Sequence, residues 1–265
     1  MADEPFYKAH WRDIDPDRMS AYKDGFRWDD AAEALYETAR ISLGQTVADF
    51  GCGPGNVAVE LANRVGKNGH VHALDINAEF LALTKQNAAK AGLARRLTTH
   101  QCDGVSLPLT DGALDRITAR NTMMYVDDPV QTLKEFRRVL RPGGLAHAVD
   151  GDWFIMVAEP VEHDAWRAFV KAASNACRTS DMGRKLYSTF LDAGFQNVQI
   201  SIFANADVDG RLLGMVRNMA KYAHESGTLA ASKIDEIVEL VEQAMACGSY
   251  MLVSPQFVVT GQNPA

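Results

Sequence analysis

Apolar residues along this chain alternate between two periods. From Asp29 to Leu43 they recur at Ala32, Leu35, Tyr36, Ala39 and Leu43, the spacing of one helix face, and Gly44 follows as a stop. "TVADF" then reads as a buried strand, "NVAVELANRV" as a helix ending near Gly66, and "GHVHALD" as a second strand. The rhythm continues through "AEFLALTKQNAAKAG" (helix), "RLTTHQCD" and "ALDRITARN" (strands), "DPVQTLKEFRRVLRPGG" (helix stopped by Pro-Gly-Gly) and "LAHAVDGD" (strand). Strands separated by helices of this length predict parallel pairing, right-handed crossovers and helices on both faces. Residues 45–150 are expected to form an α/β, doubly wound, mostly parallel sheet.

The later chain loses that rhythm. "GRKLYSTFLDAGF" predicts a helix and a turn, "NVQISIFANAD" a strand, and "QFVVTGQ" a last strand after a helical stretch from about Arg211 to Gly248. The expected organisation is an N-terminal helical cover over residues 1–44 and one domain over 45–265. Helical insertions at about 157–180 and 209–248 would form a lid over the substrate. Met215, Met219, Tyr222 and Met245 in the second insertion suit a substrate lid, a homodimer face or plain core.

Composition narrows the classes. A chain of 265 residues has room for one large α/β domain with additions, or two small ones. Its net charge of −7 offers no electrostatic footprint for nucleic acid. No run approaches a membrane span, the acidic and aromatic start is unlike a signal peptide, and a cytoplasmic protein is expected. Cys52, Cys102, Cys177 and Cys247 are far apart without a CxxC pair, against both a zinc site and a disulfide framework. His70 and His72 share one strand face but lack a third ligand nearby in sequence, so no metal is expected.

Chemistry concentrates in "VADFGCGPG". Gly51, Gly53 and Gly55 stand where the first strand passes into a helix, the position at which open α/β sheets bind ligands. The pattern is DxGxGxG, unlike the GxGxxG of dinucleotide sites, and there is no GxxxxGK[ST] loop. Asp49 beside the glycines would repel a pyrophosphate and suit an ammonium or sulfonium cation. Asp75 closes the second strand 20 residues after Gly55, where a carboxylate can accept from ribose hydroxyls; Asp103 and Asn121 end the third and fourth.

With "VHALDIN", "QCDGVSLPL", "DRITARNTMMYVDDP" and "LKEFRRVLRPGG" in order, the sequence resembles the class I S-adenosylmethionine-dependent methyltransferases. It is most similar to their small-molecule branch, the ubiquinone/menaquinone biosynthesis methyltransferases. The resemblance covers residues 45–150 strongly and "FVVTGQNP" weakly. It implies a Rossmann-like methyltransferase fold and S-adenosylmethionine as cofactor. By that resemblance Gly51, Gly53 and Gly55 pack against the methionine part, with Asp49 near its amino group. Asp75 would bind the ribose, Ile76 cover the adenine, Asp103 accept from the adenine amino group beside the Gly104 backbone, and Asn121 offer its carbonyl near the methionine end. Tyr22 would reach the cofactor from the N-terminal cover, which also holds His10 and Trp28.

Methyl transfer from a sulfonium needs alignment and exclusion of water, and needs a base only for a protonated acceptor. Relatives that modify adenine or glutamine carry Asn/Asp-Pro-Pro-Tyr after the fourth strand; Asn121-Thr-Met-Met-Tyr125 departs from it and suits an apolar wall. Asp150, Asp152 and His147, at and before the end of the fifth strand, are the candidate bases. The expectation is methyl transfer to a small apolar or aromatic metabolite. A peptide or protein acceptor, or a non-catalytic cofactor-binding role, are the alternatives.

Overall fold

A computed structural model describes residues 5–14, 16–25 and 28–265. Seven strands form the main sheet: β1 (Thr46–Phe50), β2 (His70–Asp75), β3 (Leu97–Gln101), β4 (Leu114–Arg120), β5 (Leu140–Gly151), β7 (Gln196–Phe203) and β10 (Gln256–Gln262). Their order is β3-β2-β1-β4-β5-β10-β7, and β10 runs antiparallel to both β5 and β7. The other pairings are parallel, so the mostly parallel, doubly wound sheet predicted from the alternating periods is present. Chain order reverses between β1 and β4, which opens a crevice at their carboxyl ends.

Strand alternation divides the core between two faces. Val47, Val71 and Ala73 point one way and are covered by α4 (Asn56–Arg64) and α5 (Ala78–Lys90), through Leu61, Leu81 and Ala88. Farther along the same face, Leu35 and Tyr36 of α3 (Asp30–Tyr36) meet Val149 and Val258. Phe50, Leu74 and Ile117 point the other way, onto Phe136 of α6 (Pro129–Val139) and Phe190 of α8 (Met182–Asp192). Phe136 is wholly buried, and burial of such a side chain contributes about 1.5–3 kcal/mol.

The remaining elements lie over the carboxyl ends of the strands. They are α1 (Phe6–Arg12), α2 (Pro16–Gly25), α7 (His163–Ala173), α9 (Leu213–Ser226) and α10 (Ala231–Cys247). Trp166, Phe169, Met219 and Ile237 join α7, α9 and α10 to the same core as β4 and β5. A second sheet, β6 (Val157–Glu159), β9 (Met251–Val253) and β8 (Ala206–Asp207), ties the segments before and after these helices together. Strands of two and three residues carry no readable period: the sequence reading missed β6 and β9, and the single strand it expected over "NVQISIFANAD" is β7 followed by β8.

One boundary also differs. The helix expected to run to Leu43 ends at Tyr36, passes through a single 3-10 turn (Glu37–Ala39) and stops at Arg40, whose φ is +51°. Arg116 Nε donates to the freed Ala39 carbonyl at 3.0 Å, and Leu43 projects outward, 81% exposed. The helical stretch expected from about Arg211 to Gly248 is present as two helices, with Gly227 left-handed between them.

Gly183 lets α8 lie against the sheet: a Cβ there would stand 2.6 Å from Phe257 Cδ2 and 2.9 Å from the Asp150 carbonyl oxygen. Gly183→Ala is expected to destabilise the fold by about 1–3 kcal/mol through overpacking, read from urea denaturation. An unchanged midpoint would mean that α8 has slack against β5.

Candidate active site

The turn after β1 is shaped by contacts that leave no room for side chains. Gly51 has φ +72°, and a Cβ there would collide with Thr122, so the ends of β1 and β4 close on each other. Gly55 has φ +89° at the start of α4, and a Cβ would stand 2.5 Å from Thr84 Oγ1 of α5. Around Gly53 there is open space, and it is at Gly53 that the turn faces a cavity of about 780 Å³. Gly55 and Gly104 do not line that cavity; Gly104 makes way for Phe50 Cζ, 2.8 Å from where its Cβ would be. Thr84 Oγ1 donates to the Gly53 carbonyl and Asn87 Nδ2 to that of Pro54, both at 3.0 Å, so α5 holds the turn from behind.

Two carboxyls stand at this end of the cavity. Asp75 accepts from the N–H groups of Gly53 (2.8 Å) and Asn77 (2.9 Å). Asp49 is 2% exposed; Oδ1 accepts from the Thr118 hydroxyl at 3.2 Å, and Oδ2 has no hydrogen-bond partner among the described residues. Burial pushes Asp49 up to about 7, against the pull of Thr118 and with a push from Asp75; burial raises Asp75 to about 6 against its backbone N–H donors. Ile76, Asp103 and Asn121 line the cavity as well, and Asn121 has φ +49° at the end of β4.

Helices α1 and α2 roof the crevice. Asn77 caps α5 by accepting from Glu79 and Phe80 N–H, and its Nδ2 reaches the carbonyls of Trp11 (2.9 Å) and Arg12 (3.2 Å). From the other side Asp127 accepts from the Tyr7 hydroxyl (2.6 Å) and the Lys8 ammonium (2.9 Å). Tyr22 lines the cavity with its ring centroid 5.3 Å from that of Trp11 and 6.1 Å from that of Phe80. Met124, Tyr125, Met215, Met219 and Tyr222 form the wall beyond.

Comparisons with known proteins find methyltransferases among those similar to this chain. The methyltransferase domain family matches residues 47–144. A ubiquinone/menaquinone biosynthesis C-methyltransferase of Xylella fastidiosa is 35% identical over 122 residues, 44% of this chain and 48% of its own. Residues 47–144, which carry the glycine turn and strands β1 to β4, are thus similar to a methyltransferase domain. The match spans about half the length of that curated relative. A 37.1 kDa protein of transposon Tn4556 from Streptomyces fradiae is 29% identical over 256 residues, 93% of this chain and 72% of its own. Haemonchus contortus phosphoethanolamine N-methyltransferase 2, solved with phosphomonomethylethanolamine and S-adenosylhomocysteine, shares the fold at a TM-score of 0.65 and 16% identity, over 100% of this chain and 62% of that one.

The crevice fits S-adenosylmethionine, the cofactor that the sequence resemblance implies. The donor carries ammonium and sulfonium cations, and the buried Asp49 Oδ2, without a hydrogen-bond partner among the described residues, suits a cationic ligand. The open space at Gly53 suits a ligand lying against backbone.

Three expected bases are not at the cavity. His147 is 1% exposed beneath α3, its Nδ1 3.2 Å from Thr260 Oγ1, and burial lowers it to about 3. Asp150 is wholly buried and accepts from Met123 N–H at 2.9 Å, which holds the 3-10 turn Met123–Tyr125 in place; burial raises it to about 8. Asp152 accepts from Phe154 N–H and pairs with Arg184. Each follows strand alternation or the turn after β5 into protein, so none lines the cavity. His72 Nδ1 faces His100 Nε2 at 3.0 Å and His70 Nε2 faces Thr98 Oγ1 at 2.9 Å; among the described residues no group of three or more His, Cys, Asp or Glu gathers for a metal. Thr84, Asn77 and Thr122 shape the site without having been singled out. Only the helix-capping pattern at Asn77 was locally visible.

Raised carboxyl pKa values make folding depend on pH. A buried carboxyl whose folded pKa exceeds its free value of 3.8 favours the folded state most at low pH, and the advantage is lost as pH rises through the folded pKa. Buried His10 and His147, lowered to about 4 and about 3, act oppositely but only below their free value of 6.5. Stability of the donor-free protein is therefore expected to fall from about pH 7 to about pH 8.5, and less steeply in Asp150→Asn. Chemical denaturation at several pH values would detect it; a flat wild-type profile would contradict the burial-driven shifts.

Proposed function

We propose that the protein transfers the methyl group of S-adenosylmethionine to a small, apolar or aromatic metabolite inside the roofed cavity. The observation that carries this reading is the continuity of one cavity, from the glycine turn and its carboxyls to the wall of Met124, Tyr125, Met215, Met219 and Tyr222. The cofactor supplies an electrophilic methyl group on a sulfonium, whose leaving group needs no protonation. Asp49 and the Gly51–Gly53 turn hold its methionine end, Asp75 its ribose, and Ile76, Asp103 and Tyr22 the adenine end; Asn121 contributes its backbone carbonyl.

The chain's own share of catalysis is alignment and exclusion of water. The ties from Asn77 to α1 and from Tyr7 and Lys8 to Asp127 close the roof, and α9, backed by α7 and α10, serves as the lid over the acceptor. No lining carboxyl on the acceptor side is spare for a base, because Asp127 already binds Tyr7 and Lys8. The acceptor thus brings its own nucleophilic atom. The roof also disfavours a peptide, which would need an open groove.

Donor binding should tighten as pH rises through about 7, when Asp49 ionises. Asp49→Asn should remove that dependence and weaken binding about 10–100-fold, the range of a charge-assisted hydrogen bond. Asp75→Ala should weaken donor binding about 10-fold or more by the same measure. Calorimetric titration with S-adenosylhomocysteine reads both, and unchanged affinity in Asp75→Ala would remove the ribose assignment. Incubation with methyl-labelled donor and small-molecule extract, followed by mass spectrometry, should yield a labelled metabolite that disappears with Asp75→Ala. Label found only in protein would overturn the small-molecule reading.

A further inference from the structure

The acceptor side of the cavity differs in charge from the molecule around it. The whole chain carries −7, yet among the described residues Lys8, Arg18, Arg211, Arg217 and Lys221 line that side against one carboxylate, Asp127. Asp127 is held below the usual carboxylate range by the Tyr7 hydroxyl and the Lys8 ammonium, so it stays ionised with Lys8 as its ion-pair partner. Arg211 and Arg217 lie 3.6 Å from Asp207 and 2.9 Å from Glu242 with about three-fifths of each arginine side chain exposed (61% and 60%). The Arg217–Glu242 pair is exposed on both sides and screened by water, whereas Asp207 is buried and also held by Tyr250. Lys221, four residues beyond Arg217 on α9, has no carboxylate within salt-bridge distance among the described residues, all of whose ion pairs involve other cations.

Arg18 has a different setting. It is 5% exposed, donates from Nη1 to the His10 carbonyl at 3.0 Å, and lines the cavity. Its guanidinium carbon lies 5.0 Å from the centre of the Trp11 ring, 5.4 Å from Tyr222 and 5.9 Å from Tyr22. Three aromatic faces around one point form the cage in which a cationic ligand is ordinarily held, and here the chain's own permanent cation fills it. A second cation at that place would meet both a filled cage and like charge in a poorly solvated setting.

We propose that the methyl acceptor is an anion, whose apolar or aromatic body lies on Trp11, Tyr222 and Met215 and whose carboxylate or phosphate head is taken by Arg18. Arg217 and Lys221 at the mouth draw it in. The inference rests on the small-molecule reading above and sharpens it: Arg18 sets the charge of the acceptor and excludes amines.

Calorimetric titration of the full chain saturated with S-adenosylhomocysteine tests this with four probes sharing one body: 2-naphthol, 2-naphthoate, 2-naphthyl phosphate and 2-naphthyltrimethylammonium. The anionic probes are expected to bind about 10-fold or more tightly than naphthol, the worth of a charge-assisted hydrogen bond, with the ammonium weakest. The better of the two anions identifies the head as carboxylate or phosphate. Arg18→Met should erase the preference, with circular dichroism and melting as checks on its fold. Exposed Lys221→Gln should reduce it about 2–5-fold and flatten its salt dependence, and it serves as the test if Arg18→Met does not fold. Naphthol binding as well as the anions would overturn the anionic acceptor and leave a neutral small molecule. Tightest binding of the ammonium would overturn the role of Arg18. Binding of S-adenosylhomocysteine with none of the four probes bound would overturn the small-molecule reading together with this inference.

Discussion

Between the ends of β1 and β4 there is no space for a side chain on Gly51, because Thr122 fills it. This contact sets where the sheet opens. Once β1 and β4 close on each other at Gly51, the chain must turn outward through Gly53, and that turn is pinned by Asp75 in front and by Thr84 and Asn87 behind. The cavity, its two raised carboxyls and the path of α4 all follow from that clamp. The arrangement holds polar backbone, ready to meet a ligand, in a place that strand geometry alone would bury.

The roof depends on the same part of the molecule. Asn77 stands two residues after Asp75, and one side chain both caps α5 and holds the Trp11 and Arg12 carbonyls. The base of the crevice and its cover are therefore joined through the β2–α5 loop. Opposite, Asp150 plays a comparable part from beneath, holding the turn that presents Met124 and Tyr125. A residue that sits at a strand end with a raised pKa has the outward marks of a catalytic acid. Here its hydrogen bond runs to backbone, which makes it a support.

The charge distribution separates the two halves of the cavity. Asp49, Asp75 and Asp103 gather at the strand ends with Arg120 among them, and Lys8, Arg18, Arg217 and Lys221 stand on α1, α2 and α9 with Asp127 beside Lys8. Such opposite placement suits a cationic donor on one side and an acceptor of the other sign on the other, brought together by fields that each half tolerates locally.

The chain's periodicity alone determined the order of strands and helices, the doubly wound sheet and the turn at which ligand chemistry gathers. Alternation and helix spacing are local properties, and Gly51, Asp49 and Asp75 lie within or next to the elements that carry them. Asp49, Asp75, Asp103 and Asn121 face the cavity as the motifs implied, but tertiary structure alone decided which of the other polar residues do. His147 and Asp150 occupy strand positions whose side chains point into protein, and the one-residue alternation of a strand does not reveal which face a later helix will cover. The same holds for Arg18, which became an inward-facing residue only when α1, α2 and α9 converged from distant parts of the chain to surround it with rings. The short strands β6, β8 and β9 that bring those segments together owe their existence to pairing partners, because two or three residues have no pattern of their own.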